Sequence, residues 1–175
     1  MERDKIKKLS ILAMMIAVDV VLSPLFRIEG MAPMSSVVNV IAATFMGPLY
    51  TVLMALICGI IRMLVLSIPP LALTGAVFGA ALASWLYAYY PKVLGAIMGE
   101  IIGTGLIGSL LSYPVMVWFT GSTNGLFWLV YTPIFFGGSI SGSIIAFLVL
   151  IKLSKVPIYQ QLQQLFKNSK KEEGK

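Results

Sequence analysis

The stretch Lys92–Pro114, KVLGAIMGEIIGTGLIGSLLSYP, decides the fold. It is apolar or small throughout, with a single charge between its ends at Glu100. About 20 such residues, rising 1.5 Å each as a helix, cross the hydrocarbon of a bilayer. A carboxylate on that span is costly in lipid, so it faces a protein interior, a partner or a water-filled cavity. At about 100° per residue, Glu100, Thr104, Ile107 and Leu111 share one face, and Gly95, Gly99 and Gly103 form a stripe roughly a quarter-turn away. Glycines on that stripe admit a second helix at close range, which shelters the acid. Glu100 is either a packing residue or a functional one, and ionisable groups at membrane depth are functional by default.

Composition extends this reading to the whole chain. Of 175 residues 58% are hydrophobic and 11% charged, and the mean hydropathy is +0.92. A soluble domain carries roughly 25% charged residues. The expected fold class is an all-α membrane protein, a bundle of six transmembrane helices with short connections. The start, MERDKIKKLSILAMM, is basic like a secretory signal, but the apolar run behind it is long enough to stay as a span. The lone cysteine, Cys58, falls inside a predicted span, so no disulfide forms within the chain. It reads as a small buried residue. With no histidine, acid–base chemistry and metal ligation by imidazole are excluded.

The net charge of +6 is placed by topology. Arg3, Lys5, Lys7 and Lys8 precede the first span. Lys92 lies between the fourth and fifth, and Lys152, Lys155, Lys167, Lys170, Lys171 and Lys175 lie at or after the last. An even number of spans gathers all of these on one side, which the positive-inside rule makes cytoplasmic. The expectation is a multi-pass protein of the cell membrane with both termini in the cytoplasm, and no nucleic-acid partner.

Span one runs from about Leu9 to Leu25 and holds Asp19, with Ser10, Ala13 and Ala17 on roughly the opposite face. The outer loop that follows carries Arg27 and Glu29, an exposed pair of little energetic weight. Span two, Val37–Gly47, is short and stops at Gly47-Pro48; Asn39, Ala42, Ala43 and Ser35 or Ser36 form its small, polar edge. Span three, Pro48–Leu66, carries Arg62. Counting rises, Arg62 lies some 20 Å and Glu100 about 12 Å from the inner side. Two readings stay open for Arg62: a pair with Glu100, or an outward-snorkelling anchor. Span four, Leu71–Tyr87, has Gly75, Gly79 and Ala83 at four-residue intervals, and Trp85, Tyr87, Tyr89 and Tyr90 read as an aromatic belt.

The uncharged run Val115–Pro133 is outer-facing and broken by Gly121, Asn124 and Gly125. Its Trp118, Trp128 and Tyr131 form either a second belt or the lid and wall of a pocket for a flat ligand. Span six starts near Pro133. The chain thus divides into an integral membrane domain, residues 1–155, and a polar basic cytoplasmic tail, residues 156–175, with a short surface helix around Gln160–Phe166.

No phosphate-cradling G-x-x-x-x-G-K-[ST] occurs, and no zinc signature or nucleophile elbow, so the chain is not expected to be an enzyme. The polar groups at membrane depth are Asp19, Asn39, Arg62, Thr74, Glu100 and Thr104. They suit a small, largely apolar molecule with one or two hydrogen-bonding groups. A membrane enzyme would need a nucleophile or metal near Glu100, and a stand-alone channel would need a repeated ring or filter motif.

Four blocks recur in order and spacing: SPLFRIEGMAPMSSVVNVIAATFMGPLY (Ser23–Tyr50), GIIRMLVL (Gly59–Leu66), LALTGAVFGAALASWLY (Leu71–Tyr87) and GEIIGTGLIGSLLSYP (Gly99–Pro114). Through them the chain resembles the ThiW family, substrate-binding S components of energy-coupling factor (ECF) vitamin transporters. The resemblance implies a six-helix bundle of the ECF S-component type that captures a thiamine precursor, hydroxyethylthiazole, from outside. It also implies a transmembrane coupling subunit, contacted through an A-x-x-x-A strip that Ala13 and Ala17 match. Two partner ATPase subunits would use the ATP, with no cofactor in this chain. On that reading Glu100, Asn39, Arg62, Ser36, Thr104 and Asn124 hold the ligand's hydroxyl and ring nitrogen, and Trp128 or Tyr131 covers the ring. Thiamine itself and its pyrimidine precursor stand as alternative ligands.

Overall fold

A computed structural model describes residues 2–27, 32–121, 123, 125 and 127–172, with side chains placed through Lys167. Its elements are α1 (Glu2–Leu25), α2 (Pro33–Ala43), α3 (Gly47–Leu66), α4 (Leu71–Tyr89), α5 (Val93–Glu100), a π-helical section (Ile101–Gly108), α6 (Ser109–Thr120), α7 (Thr132–Leu153) and α8 (Pro157–Glu172). Regular structure among the described residues is helical throughout.

Among the described residues, five helices are long and apolar enough to cross a membrane: α1, α3, α4, the unbroken run Val93–Thr120, and α7. The sixth expected span, α2, has 11 residues and reaches only about 16 Å, half the hydrocarbon thickness. The six-span expectation therefore resolves into five full-length helices and one half-length helix. Local chemistry explains the shortness. Pro33 opens α2, Thr44 Oγ1 folds back to donate to the Ile41 carbonyl at 2.6 Å, and Gly47 takes a positive φ of 75° before Pro48 restarts the chain as α3.

The deciding stretch also runs further than expected. Pro114 lies inside α6, and the helix continues to Thr120, where Gly121 ends it in the left-handed conformation. A proline interrupts one backbone bond, and bundled membrane helices tolerate that.

At the centre stands α4, in contact with α2, α3, α5, the π-helical section and α6. Small residues bring it so close. A Cβ on Gly99 would run into the backbone of Leu82 and Ala83, and one on Gly103 into the carbonyl of Phe78. The two helices thus meet backbone to backbone, as the glycine stripe predicted. Helix α2 wedges between α4 and α7. On α1, Asp19 is fully buried against the bundle, whereas Ser10, Ala13 and Ala17 lie on its exposed face. Leu9, Met14, Leu64, Val65, Ile144 and Leu148 are exposed apolar side chains on the spanning helices, as lipid-facing residues must be.

The tail is more structured than its polarity suggests. Helix α8 packs back on the bundle: the Tyr159 and Phe166 rings each meet Phe45 edge to face at 6.0 Å, and Lys8 Nζ lies 5.9 Å from the Phe166 centroid. Tyr159 donates its hydroxyl to Thr44 Oγ1 at 2.7 Å, and Gln163 Nε2 donates to the Thr44 carbonyl at 3.0 Å. Burial raises the Tyr159 phenol above its ordinary pKa, so it stays a donor. Helix α8 therefore pins the end of α2 remote from Pro33. Tyr159→Phe removes that hydroxyl and is expected to lower stability by about 1 kcal/mol in thermal unfolding of the detergent-solubilised protein. An unchanged midpoint would show that α8 is not docked through this bond.

Candidate binding cavity

Glu100 ends α5 where the helix loosens into its π-helical section, and its side chain is fully buried. Such irregular turns often mark functional positions in helices. Thr104, one turn on, donates to Glu100 Oε1 at 2.8 Å, and its hydroxyl also lies 3.0 Å from the Gly75 carbonyl of α4. The shared face read from the sequence is thus a direct bond. Gly79 makes the space: a Cβ there would stand 2.6 Å from Glu100 Oε2 and would also collide with Thr104 Oγ1. Glu100 Oε2 itself has no hydrogen-bond partner among the described residues.

Glu100 is one of the residues that line a cavity between α2, α3, α4, the Glu100–Thr104 turn and α7. About 70 Å³ of it is open to the centre of a water molecule. At roughly 10–15 Å³ per water centre, this is room for about five to seven waters, or one small ring with a short side chain. Its mouth lies where α1 ends and α2 and α4 begin, with Arg27 exposed at the rim and Ser23, Ala32, Ile68 and Leu71 beside it.

Of the residues singled out from the sequence, Glu100, Asn39, Arg62, Ser36 and Thr104 all line this one cavity. Asn39 donates its Nδ2 to the Ala76 carbonyl at 3.1 Å, which leaves Oδ1 as a buried acceptor without a partner among the described residues. Arg62 is 2% exposed, so it is not an outward-snorkelling anchor. Nor is its charge partner Glu100: the ion pair runs from Arg62 Nη2 to Asp19 Oδ2 at 3.9 Å. Arg62 Nε and Nη2 have no hydrogen-bond partner among the described residues.

Two expected ring contacts lie elsewhere. Trp128 is 57% exposed and rests against Tyr113 with centroids 4.7 Å apart, and Tyr131 packs on Phe135 at 6.4 Å; neither lines the cavity. The aromatic wall is Phe135, seated against Gly75, with Ile134 beside it. The reason is helical phase. Pro133 starts α7 so that Ile134 and Phe135 turn inward and the preceding turn stays outside. Asn124, and with it the Glu29 half of the Arg27–Glu29 pair, lies outside the described residues.

Sequence reasoning missed Ser23, Ser35, Phe135 and Ser139 as wall residues. Ser35 Oγ is buried and has no hydrogen-bond partner among the described residues, while Ser139 donates to the Phe136 carbonyl at 3.2 Å. The signal available for Ser139 was its place among the small residues Gly138 and Gly142 that let α7 approach α2. The walls present unpaired acceptors at Glu100 and Asn39, unpaired donors at Arg62, and carbon from Phe135, Ile134, Ile68 and Leu71. Such a set can hold a small heterocycle by a few hydrogen bonds inside an apolar sleeve. Among the described residues no cluster of carboxylates or thiols could hold a metal ion.

A second hollow, about 310 Å³, lies at the other end of α2 under α8, walled by Phe45, Pro48, Tyr87, Pro91, Gln163 and Phe166 among others. It contains none of the buried, unpartnered polar atoms that distinguish the first.

A family model described as thiamine-precursor transporter protein (ThiW) matches residues 9–156. Comparison with curated proteins and with solved structures gives no match.

Proposed function

The chain belongs to the ThiW family of thiamine-precursor transporters, and from that premise we propose that it is the substrate-binding S component of an ECF-type ABC transporter capturing hydroxyethylthiazole. The observation that carries this reading is the cavity itself, a space of ring size lined by Glu100, Asn39 and Arg62, each of which keeps a buried polar atom without a hydrogen-bond partner among the described residues. A buried polar atom without a partner costs about 1–3 kcal/mol, so a ligand that supplies the partners binds with a matching gain. The cavity mouth lies at the end of the bundle away from Lys92, Lys152 and Lys155. With those lysines on the cytoplasmic side of the cell membrane, and both termini with them, the mouth faces outward.

The sequence carries no G-x-x-x-x-G-K-[ST] motif, and on this reading uptake is driven by partners: a transmembrane coupling subunit and two ATPase subunits that use the ATP. The exposed Ala13–Ala17 face of α1 is the surface that docks the coupling subunit. On this reading the protein is a transporter subunit and not an enzyme.

A second ligand is favoured by a specific feature. Two unpaired acceptors, Glu100 Oε2 and Asn39 Oδ1, match a molecule with an exocyclic amine, as in the pyrimidine precursor of thiamine. Titration of the purified protein with hydroxyethylthiazole, the pyrimidine and thiamine separates these readings. The thiazole is expected to bind most tightly. Preference for the pyrimidine would move the assignment to the second ligand, and no affinity for any of the three would remove the substrate claim.

A further inference from the structure

A guanidinium buried at a cavity wall needs a counter-charge and also acceptors for its N–H groups. Arg62 has the first and lacks part of the second. At 3.9 Å, Asp19 Oδ2 neutralises it but stands beyond hydrogen-bond reach, and Asp19 Oδ2, Arg62 Nε and Arg62 Nη2 are all without hydrogen-bond partners among the described residues. Asp19 is itself fixed, because Ser23 donates to its Oδ1 at 2.5 Å. Arg62 lines the cavity and Asp19 does not. The cavity is therefore directional: unpaired donors come from α3, and unpaired acceptors come from Asn39 on α2 and Glu100 at the end of α5.

Resting on the reading of the chain as a heterocycle-capturing subunit, we infer that Asp19 is a positioning residue that aims Arg62 at the ring nitrogen of the bound precursor. The precursor's hydroxyl points the other way, toward Glu100 and Asn39, and gives its one proton to one of those two oxygens. A ring nitrogen only accepts, and the guanidinium offers donors that lack a partner. A hydroxyl donates, and the carboxylate and amide oxygens lack a donor. The reverse orientation would set the ring nitrogen against two acceptor oxygens and strand them. The charge of Asp19 has a second consequence. Without it, Arg62 would be a buried cation whose cavity has a single carboxylate among its described lining residues, Glu100, and pairing between those two would close the space the ligand needs.

The experiment compares affinities for hydroxyethylthiazole and for its thiophene counterpart, in which C–H replaces the ring nitrogen. Binding is measured on the purified wild type, on Asp19→Asn, on Arg62→Gln and on the double variant Asp19→Asn/Arg62→Gln. The double variant removes both charges together, so no uncompensated ion is left inside the fold. The wild type is expected to prefer the thiazole by about tenfold or more. In every variant that folds, and in the double variant in particular, the preference falls to near one, whatever the change in absolute affinity. Equal weakening of both ligands with the preference intact would overturn the proposal, leaving Asp19 a structural residue only. A wild type that binds the thiazole without preferring it would also overturn it, yet would leave the substrate reading standing. A wild type that binds neither ligand would remove both.

Discussion

Glu100→Gln is expected to weaken precursor binding by roughly 10- to 100-fold while the protein still folds. Leaving a buried donor or acceptor unpaired costs about 1–3 kcal/mol, and each 1.4 kcal/mol is a factor of ten in affinity. The glutamine keeps the volume that Gly79 accommodates and still offers one oxygen to the Thr104 hydroxyl. Its second position, though, presents N–H where Oε2 now waits for a donor. The loss therefore falls on the ligand and spares the helix packing. Isothermal titration, with monodispersity of the purified variant as the control for folding, reads this directly. An unchanged dissociation constant would mean that the ligand does not touch Glu100.

Gly99→Ala is the substitution expected to cost the bundle most. A Cβ at that position would stand 2.5 Å from the Ala83 Cα and the Leu82 carbonyl carbon, and these are backbone atoms with no rotamer to change. Alanine gains about 1 kcal/mol over glycine in helix propensity. Overpacking typically costs about 1–3 kcal/mol, and here the obstacle is rigid, so a loss near the top of that range is expected. For a chain of this size that corresponds to a midpoint lower by roughly 6–12 °C in thermal unfolding. Ala13→Val, on the exposed face of α1, serves as the comparison and is expected to stay within about 0.5 kcal/mol of wild type. Equal midpoints for the two variants would mean that α4 and α5 do not approach as closely as the glycines allow.

The two substitutions probe features of unequal legibility. The glycine stripe is a statement about one helix and its period, and Gly99 and Gly103 could be placed on a close-packing face from the residues of Lys92–Pro114 alone. The same holds for Asp19, whose inward face was legible because a carboxylate cannot stay in lipid. Arg62 is the contrasting case. Its depth could be counted along α3 and made Glu100 a feasible partner, yet depth does not fix rotation about the helix axis, and Asp19 is the side chain that α1 brings to it. The ring wall failed for a similar reason. Trp128 and Tyr131 have the right chemistry, but the start of α7 at Thr132 fixes which residues point inward, and these are Ile134 and Phe135.

Solvent preference acts on each residue separately, so it can be read along the chain. It is enough to establish a helical membrane protein, the helix-by-helix placement of its charges, and Glu100 and Thr104 on a common face. Contacts between helices depend on how each one is rotated and how far it runs, and those are settled jointly by all the packing surfaces at once. Hence the docking of α8 beneath α2, the Asp19–Arg62 pair and the Phe135 wall emerge only when the helices are assembled.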